Sequence, residues 1–269
     1  MSNCEVLSAE ATNELIPARR FDYALIDNVI LLIVAPVLAA CYLTYEYILA
    51  HYAGVVLGDP ETAIFIMVGV MVMSAGLGSL FSCRVTCPYT GLAWLEAFIA
   101  LLGTSSVLLI GEIAHISAAL PPWLGGVDAI SHELSPLAMA TPYIIGFGTG
   151  FLAGMEWPLV VRVRERVPNV NKEHNPAIIY AVDCVGIAVA TMLWALYLRT
   201  LSVTAVAATV ACMNVVVGMV FLWRYGRHVR WRRRVIGLHA VVIAVVIVIL
   251  SYGESWERLL TASFQNTTG

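Results

Sequence analysis

Seven long apolar stretches constrain this chain more than any other feature of its sequence. Each approaches or exceeds the roughly 20 helical residues that cross the hydrocarbon core of a bilayer. Only 12% of the 269 residues are charged, against roughly a quarter in an ordinary soluble domain. Helices satisfy their own backbone hydrogen bonds in lipid, and the stretches are too long for barrel strands. We therefore predict an all-α integral membrane protein, a bundle of about seven transmembrane helices. The predicted spans lie near residues 26–50, 62–83, 91–115, 137–159, 177–198, 202–223 and 235–252.

The distribution of basic residues predicts how these spans are oriented. Lys and Arg cluster before span one, between spans four and five, and between spans six and seven, whereas loops 51–61 and 116–136 contain neither. Because basic loops stay in the cytoplasm, we expect a cytoplasmic N-terminus and an external C-terminus. The predicted organisation is a polar cytoplasmic tail (1–24), a seven-helix transmembrane domain (25–253) and a short extracytoplasmic tail (254–269).

Carboxylates inside the predicted spans are the main candidates for function. An ionisable side chain at the bilayer centre costs at least about 2.5–3.5 kcal/mol on insertion scales, so it must be satisfied within the protein. The predicted orientation places two acids toward the outer face and three toward the cytoplasmic side. The outer pair is Glu46 and Glu112, and the inner set is Glu96, Glu156 and Asp183.

Glu156 allows two interpretations. It precedes Pro158, where span four is predicted to bend or end, and a run of arginines follows at 162–166. Glu156 could therefore pair with one of these arginines or cap a neighbouring helix. Alternatively, Glu156 and Asp183 could form an anionic site for a cation, since two close carboxylates in a low dielectric do not both ionise without a counter-cation.

Several kinds of site are not expected. The single lysine, Lys172, lies in a polar loop, which excludes an intramembrane Schiff base. Cys83 and Cys87 form one close pair with no second pair, which argues against zinc. Glu112 and His115 make half of a di-iron helix motif that needs a second copy, so a hydrogen-bonded pair is favoured. We predict no cofactor and no metal, with Glu112 and His115 as weak metal candidates.

A basic stretch before span seven predicts contact with lipid. Such a juxtamembrane stretch could bind anionic lipid or RNA, but a positive-inside anchor is favoured, and no nucleic acid is expected as a partner. The residues assigned to lipid contact are Arg230, Arg232, Arg233 and Arg234.

Two dense signatures carry a resemblance to a known family. Gly154-Met155-Glu156-Trp157-Pro158-Leu159, followed by Tyr180-Ala181-Val182-Asp183-Cys184-Val185-Gly186, resembles the membrane domain of bacterial membrane-bound spermidine-synthase-like proteins. The segments Tyr45–Leu49, Leu57–Asp59, Met73–Ser79 and Trp94–Glu96 extend the resemblance over nearly the whole chain. It implies a location in the bacterial inner (cytoplasmic) membrane.

The resemblance also implies what the chain lacks. Family members typically continue into a Rossmann-like aminopropyltransferase domain, and this sequence has no strand followed by a Gly-x-Gly-x2-Gly loop. We therefore expect a non-catalytic membrane module that serves as an anchor or a subunit, with a protein partner or a second copy of the chain.

Two other functions stay open at this point. One is binding or transport of a polyamine or similar organic cation by intramembrane carboxylates. Its candidate ligand-binding residues are Glu156, Asp183, Glu96, Glu46 and Tyr180. The other is the membrane half of a split aminopropyltransferase, whose activity would appear only when a soluble catalytic partner docks.

Overall fold

A computed structural model describes residues 17–119 and 136–268, and these residues form α-helices, short 3-10 turns and connecting loops without any strand. Seven helices are long and apolar enough to cross a membrane, and each coincides with one predicted span, which confirms the predicted fold class. Residues 1–16 and 120–135, which include most of the predicted outer loop, lie outside the described residues. The helices are α1 (Pro17–Leu57), α2 (Pro60–Phe81), α3 (Pro88–Ala119), α4 (Pro136–Arg164), α5 (Asn175–Leu196), α6 (Val203–Tyr225) and α7 (Arg232–Thr268).

Local sequence signals explain several of the helix boundaries. Gly58 has a φ of 71°, which allows the tight turn between α1 and α2. Asp59 then caps α2 by accepting from the backbone N–H of Thr62, and Pro60 occupies the first turn, where no N–H is needed. Ser202 caps α6 in the same way by accepting from the Ala205 N–H at 3.3 Å.

Proline does not end the fourth helix. Pro158 lacks an N–H, so the carbonyl of Gly154 loses its helical partner. Even so, α4 continues through Pro158 to Arg164. Of the two expectations for span four, that it ends at Pro158 is therefore wrong, and that it bends there stays a prediction.

The bundle has a buried centre and a more exposed periphery. Helices α3, α4 and α6 have the largest buried shares of their apolar stretches, whereas α2, α5 and α7 are mostly exposed and would contact lipid in a bilayer. α2 packs chiefly on α4, α5 on α1, and α7 on α6. Because α1 also contacts α2 and α4, it joins the peripheral helices α2 and α5 across one face of the bundle.

Small residues allow the closest helix contacts. A Cβ on Gly150 or Gly154 would overlap atoms of Met71, Ser74 or Ala75 in α2. The two glycines are four residues apart, the spacing that lets helix backbones approach closely. The close seam at Gly150 and Gly154 therefore lies against α2.

Candidate functional site

A cleft of about 480 Å³ opens between four helices on one face of the bundle. α1 and α4 pack together and α2 and α5 each contribute a side, and nearly all of the lining is apolar. The lining includes alanines and glycines from α1, α2 and α4, so small side chains leave the space open. The polar or ionisable groups that line it are Tyr42, Ser79, Glu156, Trp157, Tyr180, Asp183 and Cys184.

Two of the sequence-predicted acids meet in this cleft. Glu156 extends from α4 and Asp183 from α5, and both line the same space. Glu156 is 6% exposed, whereas Asp183 is half-buried. The Asp183 carboxylate is near enough to act electrostatically on Glu156. The structure therefore brings together the two residues that the sequence suggested as an anionic pair.

Glu96 lies behind Glu156 and does not line the cleft. Its side chain on α3 is fully buried, with 0% exposure, and its carboxyl group lies within hydrogen-bonding reach of the Glu156 carboxyl. Neither oxygen of Glu96, nor Oε1 of Glu156, receives an N–H or O–H donor from the described residues. Two ionised carboxylates are both acceptors, so this contact becomes a hydrogen bond only when a proton is present.

The arginines that follow Glu156 on α4 donate hydrogen bonds to other residues. Arg162 donates to the backbone oxygens of Ser82 and Val85 at 3.2 and 2.9 Å. Arg164, itself 5% exposed, donates to the side-chain oxygens of Asn28 and Asn175 at 2.8 and 2.7 Å. No arginine pairs with Glu156 among the residues that the structure describes. Of the two interpretations of Glu156, the geometry does not favour the arginine pair.

Other polar groups surround the acids. Tyr45 on α1 is 1% exposed, its ring packs on Gly103, and its hydroxyl has no partner among the described residues. The buried indole N–H of Trp157, which lines the cleft, is likewise without an acceptor there. Tyr180 lies at the rim and is 63% exposed. Tyr180 was predicted from the sequence as a site residue, whereas Tyr45 and Trp157 were not, since a buried polar atom without a partner leaves no sequence signal.

The two acids predicted to lie outward are not part of the cleft. Glu46 on α1 is buried and has Tyr42 as a neighbour one turn earlier, but it does not line the cleft. Glu112 is partly buried on α3, and the side chain of His115 lies outside the described residues. Over the described part of the chain, no group of three or more His, Cys, Asp or Glu residues could hold a metal ion.

The residues assigned to lipid contact lie at the start of α7. Arg230, Arg232, Arg233 and Arg234 are all exposed. Trp231 between them adopts a φ of 59°, and the guanidinium groups of Arg230 and Arg234 lie 4.8 and 5.3 Å from its ring centroid. An exposed tryptophan flanked by arginines fits the interface between lipid and water. Contact of these arginines with lipid stays a prediction.

Comparison with known proteins gives partial similarities to aminopropyltransferases. The chain is 32% identical to the polyamine aminopropyltransferase of Shewanella oneidensis over 242 residues, which are 86% of this chain and 42% of that protein. It is 30% identical to polyamine aminopropyltransferase 2 of Streptomyces coelicolor, over 82% of this chain and 39% of the relative. Polyamine aminopropyltransferase 1 of the same organism is 28% identical over 72% of this chain and 34% of its own length.

No protein-family model matches the chain, and no solved structure is significantly similar to it. The chain spans about two fifths or less of the curated relatives it matches. It is therefore a helical chain, with seven helices able to span a membrane, that is similar to polyamine aminopropyltransferases over part of their length.

Proposed function

We propose that this chain is a multi-pass membrane module related to spermidine synthase, and that it anchors or assembles with a catalytic partner in the bacterial inner membrane. The observation that carries this proposal is the partial alignment. It covers 86% of this chain but 42% of the relative from Shewanella oneidensis. The matched segment is a helical bundle with seven apolar spans. In this proposal any aminopropyl transfer is carried out by the partner.

Cross-linking in native membranes, followed by purification of the chain, tests the module proposal. We expect a second protein or a second copy to be recovered with it. Recovery of a soluble aminopropyltransferase would identify the chain as the membrane half of a split enzyme. A chain that runs alone after cross-linking, at its monomer mass, would contradict the proposal.

A second function is supported by the cleft. It holds two carboxyl groups in an almost wholly apolar lining, and no arginine among the described residues pairs with Glu156. A polyamine combines ammonium groups with methylene segments, so its charges suit Glu156 and Asp183 while its carbon chain suits the apolar walls. We therefore propose that the cleft binds an organic cation of the polyamine type.

Equilibrium binding of labelled spermidine to the purified chain in lipid nanodiscs tests this second function. Glu156→Gln and Asp183→Asn should each weaken binding roughly tenfold or more, because each removes a charged hydrogen-bond partner. Glu46→Gln is the matched control, since Glu46 is a buried acid outside the cleft. Equal affinity in all four proteins would rule out binding at these carboxylates.

A further inference from the structure

The contact between Glu96 and Glu156 indicates the charge state of these two carboxyl groups when no cation is bound in the cleft. The two side chains are 0% and 6% exposed, and each carboxyl has the other within hydrogen-bonding reach. No other donor reaches Glu96, or Oε1 of Glu156, from the described residues. A buried carboxylate without a partner is strongly disfavoured, and such groups take up a proton instead. The empty pair is therefore expected to carry protons rather than charge.

In the described part of the chain, the titratable neighbours of the Glu96–Glu156 pair are an acid, a thiol and a phenol, none of which is a cation. From α1 it is faced by the neutral side chains of Cys41 and Tyr45. α2 contributes only small uncharged residues to the cleft, and α5 contributes a third acid, Asp183. From α6 the titratable neighbour of Tyr45 is Cys212. The buried histidine of α7, His239, faces Gly218 of α6, and its Nδ1–H donates to the Val235 carbonyl oxygen at 2.9 Å.

We propose that the Glu96–Glu156 pair exchanges a proton for the cation that occupies the cleft. This inference rests on the proposed organic-cation site. In the empty protein both carboxyls are protonated. When an ammonium group reaches Glu156, one proton leaves to solvent and one stays, so that the Glu96 hydroxyl donates to the Glu156 carboxylate, which pairs with the ammonium. The charge of the site is the same before and after, because one positive charge enters and one leaves.

Glu96 acts in this scheme as a positioning residue. It does not line the cleft, so it reaches the cation only through Glu156. Its role is to donate one hydrogen bond to the ionised form of Glu156. Glutamine at position 96 keeps a donor of similar shape, whereas leucine removes it. The two substitutions therefore separate hydrogen-bond donation from packing.

The test uses n-butylammonium as probe with the full chain in nanodiscs. Isothermal titration in buffers of different ionisation enthalpy counts the protons released, and we expect one proton per cation bound. Affinity should rise by up to tenfold per pH unit while the pair is protonated. Glu96→Gln should stay within about threefold of wild type, and Glu96→Leu should lose about tenfold. Infrared difference spectra should show that the protonated-carboxyl band of the empty protein loses intensity on binding. This loss should be absent in Glu156→Gln, in which Glu96 keeps its proton.

Each contrary result has a distinct meaning. Binding without proton release, or with no dependence on pH, overturns the exchange and leaves the cation site in place. If infrared spectra of the wild-type protein without ligand show no protonated carboxyl at neutral pH, the proposed exchange is wrong. This measurement requires no ligand and no variant. A protonated pair in a protein that binds no n-butylammonium overturns the exchange and the proposed cation site together.

Discussion

Gly186 of α5 rests directly on the backbone of Pro36 in α1, where a Cβ would overlap the Pro36 carbonyl oxygen. This contact fixes how closely the peripheral helix α5 approaches α1. Asp183 lies one turn before Gly186 on the same helix and lines the cleft. The glycine therefore determines where the half-buried carboxyl of Asp183 stands relative to Glu156.

Substitution of Gly186 by alanine should destabilise the bundle by about 1–3 kcal/mol, because the obstructing atoms belong to backbone and cannot rotate away. Gly148→Ala is the control, since its Cβ would meet only Leu102 Cδ2 at 3.4 Å. Thermal unfolding in detergent compares the two variants. An equal melting temperature for both would show that α5 does not depend on this close approach.

An ion pair joins α1 to α6 at the predicted cytoplasmic end. Arg224 Nε lies 2.6 Å from Asp27 Oδ1, although the pair does not meet the geometry of a hydrogen bond. The Arg224 guanidinium also lies 5.3 Å from the ring of Tyr23. A double-mutant cycle with Asp27→Asn and Arg224→Gln should give a coupling of roughly 1 kcal/mol, since both side chains are partly exposed. A coupling indistinguishable from zero would mean that the contact does not stabilise the bundle.

Asn175 holds the buried Arg164 in place. Its side-chain oxygen accepts from Arg164 at 2.7 Å, and its amide donates to the Val161 carbonyl at 2.9 Å. Asn175→Ala should cost about 1–3 kcal/mol, because it leaves buried polar atoms without partners. Asn171→Ala, on an exposed asparagine in the loop that precedes α5, serves as the matched control. The prediction fails if chemical denaturation gives the two variants the same stability.

The Asp59 cap of α2 should make the folding stability of the protein depend on pH in the acidic range. Hydrogen bonds from the side chain and backbone of Thr62 hold the pKa of Asp59 below its ordinary value. A depressed pKa stabilises the folded state above the unfolded value of about 3.9. That contribution is lost as the pH falls through the lower folded value. Asp59→Asn keeps a capping side chain without the titration, so the stability difference between wild type and variant should shrink on acidification. A difference that stays constant with pH would contradict this account of Asp59.

Much of the fold could be predicted from the sequence because length and hydropathy alone locate the spans. The four-residue spacing of Gly150 and Gly154 is also visible in the sequence, and the structure places both glycines against α2. Helix rotation could not be predicted in the same way. Nothing in the sequence shows that Glu96 turns toward Glu156 while Glu46, on another helix, stays outside the cleft.

The partners of charged residues were equally hard to predict. The arginines after span four were candidates for Glu156, yet Arg162 and Arg164 bind backbone and amide oxygens instead. The ion pair of Arg224 with Asp27 links residues almost two hundred positions apart. Such pairings depend on which helices become neighbours, and single-sequence periodicity does not contain that information.

Protection of Cys184 tests most directly whether a cation occupies the cleft at Glu156. Cys184 is a free, exposed thiol that lines the cleft, whereas the free, exposed thiol of Cys212 does not line it. Variants that retain one of these two cysteines would be treated with N-ethylmaleimide with and without spermidine. We predict that spermidine slows modification of Cys184 but not of Cys212, and that Glu156→Gln abolishes the protection. Modification of Cys184 at the same rate with and without spermidine would contradict the proposed cation site.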